Sequence, residues 1–191
     1  MTMADRSPRQ PRKAPPPLDA AALERMALRY VERFATTRGK LADYLRRQVR
    51  ERGWEGEASD PAALAERMAG LGYVDDRAFA EARAASLTRR GLGAGRVSIA
   101  LRQAKVDEED AAAVRPAVDA EATASAHRFA RRKRIGPYAT EPADRERRQK
   151  QLAQMVRAGH GFALARALVE ADPGEIGEDP DLTHCDDDEP C

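Results

Sequence analysis

A short apolar pattern that returns twice most constrains what this chain can fold into. Leu41, Tyr44 and Leu45 recur as Val97, Ala100 and Leu101, and again as Leu152, Met155 and Val156, at steps of 56 and 55 residues. A basic residue comes next each time, as Arg46, Arg102 and Arg157. Residues at i, i+3 and i+4 share one face of a helix, so the pattern predicts a helix at each copy. Repetition at this period implies tandem helical units, each too small to bury its apolar face alone and so stacked on its neighbour. Isoleucine occurs only at Ile99, Ile135 and Ile176 and aromatics are 5% of the chain, while alanine, arginine, glutamate and leucine dominate, which favours helix over strand. The expected fold is all-α, an elongated, curved stack of three tandem three-helix repeats. They span 19–74, 75–118 and 119–171, between a disordered proline-rich basic arm (1–18) and a disordered acidic tail (172–191).

Local signals place the helices. Asp19 opens the first, with Leu23, Met26, Ala27, Tyr30 and Phe34 on one face. Thr36 or Thr37 caps the second, Gly53 ends it, and Trp54 is expected in the joint between hairpins. Asp60-Pro61 starts a third with the stripe Leu64, Met68 and Leu71. Asp75 or Asp76 caps a fourth, on which Phe79, Ala82, Ser86 and Leu87 lie near one face, while Arg83, Arg89 and Arg90 reach solvent. Gly91-Leu-Gly-Ala-Gly95 then turns the chain, so the next helix folds back. A further helix opens at Asp107, Glu141-Pro142 starts another, and Gly159 and Gly161 turn the chain before Phe162, Leu164, Ala167 and Leu168.

Around that turn the run Gly-Tyr-Val-Asp-Asp-x-x-Phe-Ala (residues 72–80), then Arg-x-x-Gly and Arg-Val-x-x-x-Leu, resembles the central motif of the RecX family, bacterial regulators of the RecA recombinase. Tyr73, Asp75, Asp76, Phe79, Gly91 and Leu101 carry it, in a role expected to be mainly structural. Members commonly have glutamate before the leucine that is Leu101 here and glycine before the residue that is Val106, where this chain has Ala100 and Lys105. The resemblance runs over about residues 20–171. It implies the three-repeat architecture and a protein that binds the RecA filament on single-stranded DNA along its groove. Such a protein lowers ATP hydrolysis, strand exchange and coprotease activity by blocking extension or promoting disassembly.

The net charge of +1 hides a separation. Residues 172–191 hold nine acids and no Lys or Arg, which leaves 33 bases against 23 acids in the remainder. A body at +10 suggests a polyanionic or acidic partner, and the acidic tail could fold over it as an internal competitor. The densest basic run is Arg128, Arg131, Arg132, Lys133 and Arg134, with Arg145, Arg147, Arg148 and Lys150 after it. Arg89, Arg90, Arg96 and Arg102 surround the glycine turn, and Arg157 closes the third copy. A guanidinium fork suits phosphate, and a basic helical face tracks a nucleic-acid backbone without reading bases.

No catalytic constellation emerges, so no enzyme is expected. His127, His160 and His184 are read as satisfied or solvated. The glycine turn lacks a preceding strand, the remaining glycine of a dinucleotide fingerprint and a Walker lysine, so no cofactor is expected. His184, Cys185 and Cys191 are too few for a structural zinc site. No apolar run nears a membrane span, and a cytoplasmic monomer is expected. The alternative to a RecA regulator is a stand-alone helix-turn-helix-like nucleic-acid binder, although no helix groups Asn, Gln and Arg for base edges.

Overall fold

The computed structural model describes residues 16–175; the arm and tail beyond them lie outside the described residues. Helices α1 (Ala20–Arg33), α2 (Arg38–Arg52) and α3 (Pro61–Gly70) are opened by Asp19, Thr37 and Asp60, each of which accepts a hydrogen bond from a first-turn amide. Asp75 does the same for α4 (Asp76–Arg89), at 2.8 Å from the Ala78 N–H. Helix α5 (Ala94–Gln103) begins after Gly93 without a side-chain cap. Asp107 caps α6 (Glu108–Ala113), which runs through Val114 into α7 (Arg115–Ala120) and through Glu121 into α8 (Ala122–Lys133). A 3-10 turn at Gly136–Tyr138 leads to α9 (Arg145–Arg157), capped by Asp144, and to α10 (Phe162–Glu170). Among the described residues the only bridge of β type joins Leu18 and Trp54.

Three buried clusters succeed one another along the chain. Leu18, Leu23, Leu41, Leu45 and Met68 form the first; Ala80, Leu87, Val97, Leu101 and Val114 the second; Phe129, Ile135, Met155, Ala165 and Leu168 the third. Each is thin, and small side chains such as Ala27, Ala80 and Ala165 let the helices approach closely.

Several facets differ from the sequence expectation. In the third copy the buried pair is Gln151 and Met155, while Val156 is 44% exposed, so Met155 answers Leu101 and the second step is 54 residues rather than 55. Arg157 is therefore not equivalent to Arg46 and Arg102. The inward face of α4 is Asp76, Ala80, Ala84, Leu87 and Thr88; Phe79 and Ser86 are half-buried and Ala82 is exposed. Phe34, Leu71 and Phe162 lie on the surface because each stands at a helix end, where the chain turns away from its core. Trp54 packs within the first core beside Leu18, donating its ring N–H to the Glu57 carbonyl, and not between units. Asp144, not Glu141, opens α9, since only Asp144 reaches a first-turn amide, that of Arg147 at 2.7 Å.

The cores are fastened by the same joint used twice. At the first, the Thr37 hydroxyl donates to the Ala104 carbonyl at 2.5 Å, and Gly39 faces Lys105 so closely that a Cβ on Gly39 would sit 2.5 Å from the Lys105 Cβ. At the second, Gly93 and Gly95 donate backbone N–H groups to the Ala158 and Gly159 carbonyls, both at 3.0 Å. The N-terminus of one hairpin's second helix thus meets the C-terminal turn of the equivalent helix in the next unit. In those turns Lys105 (φ 57) and Gly159 (φ 93) both take the left-handed conformation. That explains the family glycine: this chain holds a lysine where glycine is the unstrained choice.

Gly136 (φ 54) is pressed against the Leu168 carbonyl, whereas nothing stands near Gly70. Gly136→Ala is expected to destabilise the protein by about 3 kcal/mol. Gly70→Ala is expected to leave it unchanged or stabilise it by up to about 1 kcal/mol. Urea unfolding of both variants checks the contrast.

Candidate partner and phosphate interface

Three stretches without a single Asp or Glu, residues 82–104, 122–140 and 147–169, together carry fifteen Lys and Arg. The fold brings them to one place, the second joint. Gly91 (φ 72) lets α4 turn sharply, and its Cα lies so close to the α8 backbone that a Cβ there would come within 2.9 Å of the Phe129 nitrogen. The Phe129 ring meets the His160 ring at 5.4 Å between centroids, and Arg132 lies over Phe129 while donating to the Arg90 carbonyl at 2.6 Å. Arg96 begins α5 against Gly159. Arg89, Arg90, Arg96, Arg132 and Arg157 are all exposed around this joint, with no carboxylate supplied by the three stretches that build it.

The remaining predicted residues are spread out. Arg128 is half-buried and structural: it reaches Glu121 at 3.3 Å and the Thr88 carbonyl at 3.4 Å. Arg131 stacks over the Tyr138 ring. Lys133 and Arg134 end α8 in solvent, Arg134 in the left-handed conformation. Arg147 and Arg148 lie at the other end of α9 from Arg157, and Arg102 lies toward the second core's outer groove. Of the motif, Leu101 and Asp76 are buried and Phe79 sits half-buried beneath Lys40, but Tyr73 is 54% exposed. Beside Phe34 it rims a shallow groove, so its side chain contributes surface as well as structure.

The first joint has the same backbone and the opposite electrostatics. Buried Asp76 accepts from the Arg38 backbone N–H at 2.8 Å and from its Nε at 3.3 Å, and Arg38 also reaches Glu66, Asp107 and Asp110. Burial pushes the Arg38 pKa down, but its carboxylates, Asp76 foremost, more than offset this and leave it raised. Burial, then the neighbouring Asp107 charge, raises Asp110. Lys105 pairs with Asp43 at 2.5 Å, a contact that lowers the Asp43 pKa. Arg38 and Lys105 are thus both answered by carboxylates, which is why the sequence motif marks the first joint and the basic excess marks the other.

Sequence reasoning missed Arg38, the Gly39–Lys105 contact and His160. His160 was expected to be satisfied or solvated; it is buried, hydrogen-bonded with the Gly91 backbone, and its Nε2 has no partner among the described residues. It stands 54 residues after Val106, so a polar ring fills an apolar position of the repeat. His127 is buried and satisfied, its Nδ1 2.7 Å from the Tyr138 hydroxyl. The described residues contain no group of three potential metal ligands and no helix long and apolar enough to cross a membrane.

Stacked helical cores with one arginine-rimmed joint define an all-helical repeat protein. The family profile described as RecX, second three-helix domain, matches residues 75–114. The chain is 33% identical over 180 residues to the regulatory protein RecX of Myxococcus xanthus, covering 88% of this chain and 93% of that protein. It is 32% identical over 163 residues to the regulatory protein RecX of Thermobifida fusca, covering 82% of each. A crystal structure of RecX from Lactobacillus salivarius superposes with a TM-score of 0.57 at 16% identity, over 78% of this chain and 94% of that one. The chain belongs to the RecX family of regulatory proteins.

Two outcomes test the joints. Arg38→Ala, which strips the guanidinium from buried Asp76, is expected to cost roughly 2 kcal/mol, a value reduced by the partial exposure of the arginine. Burial lowers the His160 pKa below its ordinary 6.5, with the Gly91 hydrogen bond only partly opposing it. Unfolded chain therefore takes up this proton first as pH falls. Stability is full above pH 6.5 and is lost progressively as pH drops through 6.5 toward the lowered folded value. Thermal melts from pH 8 to pH 5 should show this slope, and His160→Val should flatten it.

Proposed function

We propose that this protein is a negative modulator of RecA. In this reading it lies along the groove of the RecA–single-stranded DNA filament and lowers ATP hydrolysis, strand exchange and coprotease activity by blocking extension or promoting disassembly. The observation that carries the reading is the relationship to RecX regulatory proteins along almost the whole chain. The geometry supports it physically. Repeats 19–74, 75–118 and 119–171, taken as the working segments, form a row with one ion-paired, carboxylate-rich joint and one cationic joint. Such a row offers a filament a long surface with charge concentrated toward one end. Exposed arginines set among acid-free stretches suit either DNA phosphate or acidic protein surface.

The alternative, a stand-alone helix-turn-helix binder, needs the N-terminal residues of a recognition helix free to reach base edges. Helix α5, the one after the glycine turn, is docked through Gly93 and Gly95 on Ala158 and Gly159 of the next unit and leaves Ala94, Gly95, Arg96 and Ser98 exposed in its first turns. With no Asn or Gln among them to read base edges, the filament reading is favoured.

Single-stranded-DNA-dependent ATP hydrolysis by the cognate RecA, titrated with this protein well below one per protomer, tests the proposal. Inhibition that excess DNA does not relieve is the expected result; its absence overturns the reading. Lys133→Glu, Arg134→Glu and Arg157→Glu together should raise the half-inhibitory concentration roughly tenfold, equivalent to about 1.4 kcal/mol. All three side chains are solvent-exposed, so thermal stability should stay the same.

A further inference from the structure

We infer that the cationic surface around Arg132, Lys133 and Arg134 is an acidic-peptide site, and that its occupant is this chain's own segment 176–191. The last described residues lead directly to it. Gly174 donates its N–H to the Pro137 carbonyl at 2.9 Å, and the Asp172 N–H bonds the Glu175 carboxylate at 3.2 Å. The backbone at Gly136 is packed against the end of α10. The chain therefore leaves the fold on the turn directly after the basic end of α8.

Segment 176–191 is chemically matched to that place. It contains Glu178, Asp179, Asp181, Asp186, Asp187, Asp188 and Glu189 and no Lys or Arg. Stretches 82–104, 122–140 and 147–169, which build the surface, contain no acid of their own, and of the acids just outside them Glu121, Glu146 and Glu170 are taken up by Arg128, Lys150 and Arg166. Sixteen residues reach about 50 Å when extended, enough to cross from α8 to the arginines around the second joint. Covalent attachment through sixteen residues keeps this charge at roughly millimolar effective concentration, so weak individual ion pairs suffice for occupancy at low salt. A polyanion arriving from outside must displace the segment, which sets a threshold for binding. Charge and the exit point carry this inference, which stands or falls separately from the RecA reading.

The chain's only cysteines, Cys185 and Cys191, are both in this segment and allow a direct test on the full protein. A nitroxide is placed on Cys185 in a Cys191→Ser chain, and amide signal loss is mapped by nuclear magnetic resonance. Amides of residues 89–96 and 132–134 should lose most of their intensity and recover it in about 0.5 M salt, where the screening length is only a few Å. Lys133→Glu with Arg134→Glu should restore the signals without salt. Signal loss that simply fades with distance from Glu175 and ignores salt would overturn the inference. So would loss concentrated at the start of α1, which would assign the segment to the basic N-terminal residues instead.

Discussion

Backbone approach at the joints is the constraint on which the rest depends. A helix N-terminus presents amides with no intrahelical acceptor, and a helix C-terminus presents carbonyls with no donor. Here the two deficits are set against each other across neighbouring units, with Gly93 and Gly95 meeting Ala158 and Gly159, and Thr37 meeting Ala104. Side chains would hold the partners apart, so the positions are glycine, alanine or a threonine whose hydroxyl stands in for a backbone donor, with Lys105 admitted only opposite Gly39. Thin cores that could not stand alone gain a neighbour through these contacts. The spacing between joints sets which face each helix buries.

Charge is then divided between two geometrically equivalent places. At the first joint Arg38 draws together carboxylates from α3, α4 and the start of α6, so docking the first two units sets a cation among them. At the second joint the backbone fit is retained while carboxylates are missing from the stretches that form it. The backbone contacts hold the units together there, Arg132 adds a stack on Phe129 and a bond to the Arg90 carbonyl, and Arg89, Arg90, Arg96 and Arg157 face solvent. One repeated device therefore yields a joint closed by ion pairs and a joint rimmed by arginines, the difference lying only in which side chains surround it.

The helical class, the caps at Asp19, Asp60 and Asp107, and the glycine turn at Gly91 were legible because each is set by local chemistry, whereas the choice of Thr37 over Thr36 and of Asp75 over Asp76 came from the structure. The repeat was legible too, but its third copy was placed one residue out: Leu152 and Val156 are more apolar than Gln151, and only tertiary packing shows that Gln151 and Met155 face inward. Inward faces of α3 and α4 were likewise blurred, since Phe79 and Leu71 outweigh alanine in any hydropathy pattern while the close helix contacts select Ala65, Ala80 and Ala84. The basic residues were found, yet their division into structural (Arg128), stacked (Arg131, Arg132) and solvent-facing (Lys133, Arg134, Arg157) required three dimensions. Arg38 was invisible because its partners, Glu66 to Asp110, lie 28 to 72 residues away. A scan for acid-free stretches would have pointed to the second joint from sequence alone.

Those acid-free stretches also mean that folding gathers like charges that the unfolded chain keeps far apart. Docking the third unit works against Coulomb repulsion, a cost met by the glycine contacts and the Phe129–His160 packing. Any polyanion that settles across the joint removes that repulsion and, by binding only the docked arrangement, shifts the equilibrium toward it. A polyanionic ligand of the joint would thereby stabilise the very arrangement of units that forms its binding surface.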